Sequence, residues 1–107
     1  MLDSGAQCHV TYEPEYLENL SQENTKIKVG NNLTCDVKMS GRLELKIDNE
    51  DRLDLIILDR VYLVYSFSKR VISIPRLIDM GYHFVFRKNV CAIIDPDRRY
   101  LQVLVNA

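Results

Sequence analysis

Lys26-Ile27-Lys28-Val29-Gly30-Asn31-Asn32, residues 26–32, is the stretch that decides the fold class. Its first four residues alternate charged and apolar side chains, the period of a strand with one buried face. Gly30-Asn31-Asn32 then supplies the residue types that reverse a chain in a hairpin. Alternation resumes over residues 33–39 and continues past Gly41 through Leu43, Leu45 and Ile47. Asp48-Asn49-Glu50-Asp51 reads as a polar turn, and residues 53–58 and 61–65 as two further strands. On the N-terminal side, residues 8–12 make a short strand closed by Glu13-Pro14-Glu15, and residues 16–20 read as a single helical turn. Residues 84–86, 91–94 and 101–105 are strand-like again. One helix is expected at 75–80, with proline in its first turn and Gly81 as its C-terminal cap. Many short strands with turns between them and one short helix predict an all-β fold, a small closed barrel or sandwich.

The length of 107 residues suits one domain spanning 1–107. A net charge of −1 gives no field for gathering nucleic acid or an anionic membrane, so neither is expected as a partner. The pairs Arg98-Arg99 and Lys69-Arg70 read as solvated surface. Asp59 and Arg60 stop Ile56-Ile57-Leu58 far short of a membrane span, and no basic start leads into an apolar secretion signal. The expected location is cytoplasmic. Cys8, Cys35 and Cys91 are odd in number and widely spaced, which argues against a disulfide framework. With His9 and His83 they show no metal-ligand spacing, and there is no glycine-rich phosphate loop. Neither a metal nor a cofactor is expected. His9 reads as a partly buried strand histidine, Cys8 as structural beside it, and none of the tyrosines is assigned to a ligand.

One segment stands in a chemically suggestive setting. Met1-Leu2-Asp3-Ser4-Gly5-Ala6 puts an acidic residue between an apolar strand end and a Ser-Gly turn. An aspartic peptidase needs that arrangement at its catalytic loop: a carboxylate leaving a strand, a small hydroxyl, and a glycine where the backbone turns. The same tripeptide also makes ordinary surface turns.

Leu2-Asp3-Ser4-Gly5-Ala6, followed by Cys8-His9-Val10-Thr11, resembles the start of the retropepsin-like protease of copia-type retrotransposon Gag-Pol polyproteins. In that family Leu-Asp-Ser-Gly-Ala is followed by His-Val-Thr or His-Met-Thr. Val29-Gly30-Asn31 resembles the family's glycine-containing hairpin, and Gly41 its second glycine. Residues 61–77 are similar to the stretch Val-Leu-Tyr-Val-Pro, a few variable residues, then Asn-Leu-Leu-Ser. Leu77-Ile78-Asp79-Met80-Gly81-Tyr82, Val85-Phe86 and residues 91–94 continue the pattern. Tyr65 stands where the family has proline, and Arg70 where it has asparagine. Family members carry a strand before the catalytic aspartate, and the domain is expected to lack it.

The resemblance implies an aspartic-type endopeptidase that cleaves the polyprotein as a homodimer, with Asp3 from each subunit activating water. It implies loop support from Ser4, Gly5 and Ala6, a substrate-binding flap around Gly30 and Asn31, and action in the cytoplasm or within virus-like particles. The paired carboxylates would share one proton, so that one activates water while the other protonates the reacting peptide. Two other readings stand beside this one. The first is a catalytically inactive retropepsin-like domain kept for dimerisation or peptide binding. The second is an unrelated small β interaction module in which Asp3-Ser4-Gly5 is only a turn.

Overall fold

The chain opens with two short strands, β1 (Leu2–Asp3) and β2 (His9–Thr11), separated by the Asp-Ser-Gly loop. Three long strands follow: β3 (Glu18–Lys28), β4 (Thr34–Asn49) and β5 (Arg52–Leu63). A two-residue strand, β6 (Ile72–Ser73), runs into the helix α1 (Ile74–Asp79), and β7 (His83–Arg87), β8 (Val90–Ile94) and β9 (Tyr100–Leu104) complete the chain. This computed structural model describes residues 1–29, 32–49 and 52–104. The architecture is all-β with one short helix, as the alternation of the sequence predicts.

The long strands form a four-stranded sheet in the order β2-β5-β4-β3, antiparallel except where β2 lies parallel to the end of β5. Of the stretch that predicts a hairpin, residues 26–28 fall on β3 and residues 34–47 on β4, with Lys28 paired to Thr34. The turn residues Gly30 and Asn31 lie outside the described residues. A second, three-stranded sheet joins β7, β8 and β9, and β1 pairs in parallel with β6.

Two local expectations are corrected. Residues 53–58 and 61–65 are not separate strands, because β5 is continuous from Arg52 to Leu63. Leu58 pairs with Leu43 and Val61 with Gly41, so Asp59 and Arg60 together oppose the single residue Arg42. The polar pair that looks like a turn is a β-bulge, which bends a strand without ending it. The helical turn expected at 16–20 lies earlier, as a 3-10 turn over Pro14–Tyr16, and β3 already begins at Glu18. Asn19, at φ 54°, and Leu20 bulge opposite Gly41. A Cβ on Gly41 would stand 2.9 Å from the Glu18 carbonyl oxygen and 3.0 Å from the Leu17 Cβ. Only glycine lets β4 approach that closely.

Two apolar clusters hold these layers. The larger joins Ile47, Ile56 and Leu58 of the long hairpin to Cys91 and Ile93 of β8, Leu101 of β9, and Leu77 of α1. Each fully buried aliphatic side chain there contributes about 2 kcal/mol. The smaller cluster has Val10, Val37 and Val64 at its centre, with Ile27, Tyr62, Phe67 and Val71 packed half-buried around it. Helix α1 fits its sequence: Ser73 caps it through its side chain, proline sits in the first turn, and Gly81 follows at φ 99°.

The two family departures have local accounts. Tyr65 occupies the second place of a turn closed by the Phe67 N–H on the Val64 carbonyl, the position where proline is favoured. The Arg70 Nε donates to Glu13, and its guanidinium lies 5.3 Å from the Tyr16 ring centroid. That pairing ties the 3-10 turn to the segment before β6.

Candidate functional site

Asp3 ends β1, half-buried, where the strand pairs in register with Ser73 of β6. The Gly5 N–H donates to the Asp3 Oδ1 at 2.8 Å, fixing the carboxylate over its own loop. Gly5 is therefore not required for the conformation of the turn. Its φ is not among the positive values, and a Cβ there would meet only Asp3 Oδ1, at 3.4 Å. What the residue supplies is a donor and a small surface beside the carboxylate. Ser4 is exposed and Ala6 is half-buried.

The loop is anchored at its far end. The Ser73 hydroxyl donates to the Ala6 carbonyl oxygen at 2.6 Å and accepts from the Arg76 N–H at 3.2 Å. One side chain thus caps α1 and holds the loop against it. The Ser73 N–H in turn donates to the His9 Nδ1 at 2.9 Å. His9 is 2% exposed and Ser73 is fully buried, so both ends of this contact are removed from water. An Nδ1 that accepts must be unprotonated, and burial, followed by the charge of Arg76, lowers the His9 pKa to about 4. His9 is the structural histidine its sequence position suggests, and its partner is the cap of α1.

Asp3, Gly5 and Ala6 open onto a cleft of about 810 Å³. Its apolar wall is Val10 from the centre of the smaller cluster, with the half-buried Ile27, Tyr62, Phe67 and Val71 around it. The last residues of β3 and Val29 form the opposite lip, leading to Gly30 and Asn31, which lie outside the described residues. Cys8 and Arg76 also line the cleft. Burial pushes the Cys8 thiol up, with Arg76 pulling it back down. Among the described lining residues Asp3 is the sole carboxylate. No group of three or more His, Cys, Asp or Glu side chains among the described residues could hold a metal ion.

Residues 1–82 match the family described as the Pol polyprotein, beta-barrel domain. The chain belongs to this family. The match takes in the Asp3 loop, the cleft and α1, and it ends at Tyr82, before the three-stranded sheet. No curated protein and no solved structure matches the chain.

The sequence singles out Asp3 but not Tyr62, Phe67 and Arg76, which line the same cleft, or Ser73, which holds its loop. Ser73 is 67 residues from the carbonyl it holds, and no local pattern encodes that contact. The one available signal was the Ser-x-Pro order, which marks a capped helix start.

Proposed function

We propose that this Pol β-barrel domain is an aspartic-type endopeptidase, the retropepsin-like protease of a copia-type retrotransposon polyprotein. The observation that carries the reading is the Asp3 carboxylate. It is held by the Gly5 N–H on a loop anchored to α1, and it faces a cleft large enough for several peptide side chains.

The chemistry needs two carboxylates that share a proton. The described cleft lining holds one, so the second is supplied by Asp3 of a second copy across a two-fold axis. The ionised Asp3 takes a proton from water as the oxygen attacks the scissile carbonyl carbon. The protonated Asp3 donates to the carbonyl oxygen, and the leaving nitrogen is protonated as the C–N bond breaks. Gly30 and Asn31, which lie between β3 and β4 in the sequence, are the proposed flap over the substrate. The substrate is the Gag-Pol polyprotein, and the domain acts in the cytoplasm or inside a virus-like particle.

The test is Asp3→Asn, which is close to isosteric but cannot alternate between the acid and its base. Peptide cleavage should fall by about 10²–10⁴-fold or more, with the circular dichroism spectrum unchanged. Cleavage that survives the substitution removes the aspartic mechanism. Wild-type specific activity should also fall on dilution, because the site assembles from two chains. A wild-type protein that binds peptides in the cleft but never cleaves them would favour an inactive binding domain instead.

A further inference from the structure

The arginines whose side chains are described differ in one respect. Arg42 lies against Glu18 and Glu44, Arg60 against Glu23, Arg70 against Glu13, and Arg99 against Asp54 and Asp95. Arg87 and Arg98 are exposed to solvent. Arg76 is half-buried, lines the cleft, and has no carboxylate within ion-pair distance among the described residues. Its charge acts on both Cys8 and His9, which places the guanidinium on the β2 side of the cleft. A half-buried cation loses hydration, and with no anion beside it among the described residues the site favours a ligand that carries one.

The surroundings point the same way. Lys26 and Lys28 are exposed at the opposite lip, and Lys26 has only a loose, solvent-screened contact of 3.8 Å with Asp36. A chain of net charge −1 therefore gathers three cations around a cleft whose one described carboxylate is Asp3. Between these cations lies the apolar wall of Val10, Ile27, Phe67 and Val71. The lip itself is β3, the outer strand of its sheet, an edge along which an extended chain can align.

We infer that the cleft takes an extended peptide in which large apolar residues are flanked by an acidic one, whose carboxylate pairs with Arg76. Arg76 is a specificity-determining residue for the endopeptidase reading, on which this inference rests. A guanidinium presents paired donors to a carboxylate, so the preference is for Glu or Asp and not only for low positive charge.

The test uses the full chain carrying Asp3→Asn, so that peptide is bound but not consumed. Fluorescence anisotropy is measured with three labelled peptides that share their apolar residues and carry Glu, Gln or Lys at the flanking position. The Glu peptide should bind about tenfold more tightly than the Gln peptide, and the Lys peptide most weakly. Arg76→Gln, which keeps the backbone N–H bonded to Ser73, should remove the Glu preference, and Arg76→Glu should turn it toward Lys. Equal affinity for all three peptides, absence of binding by any of them, or a Glu preference that survives Arg76→Gln would overturn the inference. So would a single-stranded oligonucleotide that binds more tightly than the Glu peptide. A Glu preference in this assay, with no cleavage by the wild-type chain, would keep the inference and remove the peptidase reading.

Discussion

The two apolar clusters use the same residue types and end differently. In the larger one Ile56, Leu58, Leu77, Ile93 and Leu101 are at most 1% exposed, because β8, β9 and α1 close over the long hairpin. In the smaller one Val10, Val37 and Val64 are buried, but Ile27, Tyr62, Phe67 and Val71 stay half-exposed along the cleft. The larger cluster has half-buried residues around it too, Leu43, Leu45 and Phe84 among them, but its centre is sealed and holds the fold. The smaller is open and offers its surface to a ligand, with the Asp3 loop beside it. One set of polar contacts, joining His9, Ser73 and Arg76, gathers at the open cluster, where a loop must be held without being covered.

Truncation separates the two most sharply. Leu77→Ala removes a fully buried side chain between α1 and the sheets, and should cost about 2–5 kcal/mol in urea unfolding. Ile27→Ala removes a half-buried one at the cleft, and should cost about 1 kcal/mol while weakening peptide binding more than Leu77→Ala does. Similar losses of stability at both positions would mean that the smaller cluster is as closed as the larger.

The second effect is a pH dependence that arises beside the open cluster. His9 has a pKa of about 4 in the fold against 6.5 for a free side chain. Above pH 6.5 neither state is protonated, and the full stability is present. As pH falls toward 4 the unfolded chain takes up a proton that the fold refuses. Stability should therefore drop by about 3 kcal/mol, at roughly 1.4 kcal/mol per pH unit. The groups acting on the ring are Arg76 from α1 and the Ser73 N–H from β6, while the register partner on β5 is the apolar Val61. His9→Asn offers an acceptor that does not titrate, and should flatten the curve between pH 6.5 and 4 in a series of urea melts. Glu23, held at about 2 chiefly by Arg60, loses its contribution as pH falls below 4.5, so the two windows barely overlap. A wild-type curve that is already flat between pH 6.5 and 4 would mean the His9–Ser73 contact does not exclude the proton.

Much of the larger cluster was legible in the sequence. Strands β7, β8 and β9 and helix α1 fall within a residue or two of their expected places, because alternation and caps are local signals. Asp59-Arg60 misled because a bulge and a turn both place polar residues between apolar runs. At the site, the Asp3 motif was legible because it is contiguous. The clamp was not, since the Ser73 N–H reaches a ring 64 residues away and only the folded register brings β2 and β6 together. Arg76 reads from sequence as one more surface cation on a short helix. That no described carboxylate pairs with it is visible only in the fold.

A smaller effect than the loss of Leu77 or of the His9 contact tests how the loop is held. Ser73→Ala deletes the hydroxyl that donates to the Ala6 carbonyl and accepts from the Arg76 N–H, and leaves the backbone bond to His9 in place. Losing a helix cap and a buried hydrogen bond together should cost about 1–2 kcal/mol. The loop would still be tied at Asp3 by Gly5 but free at Ala6, so the carboxylate would keep its local contact and lose its fixed position over the cleft. For an endopeptidase, that predicts a lower kcat with little change in KM, because the apolar wall that binds the peptide is untouched. Ser73→Thr restores the hydroxyl and should recover both stability and kcat. A variant that loses stability but keeps full kcat under folding conditions would show that β1 alone positions Asp3, and would leave Ser73 as a helix cap with no part in the site.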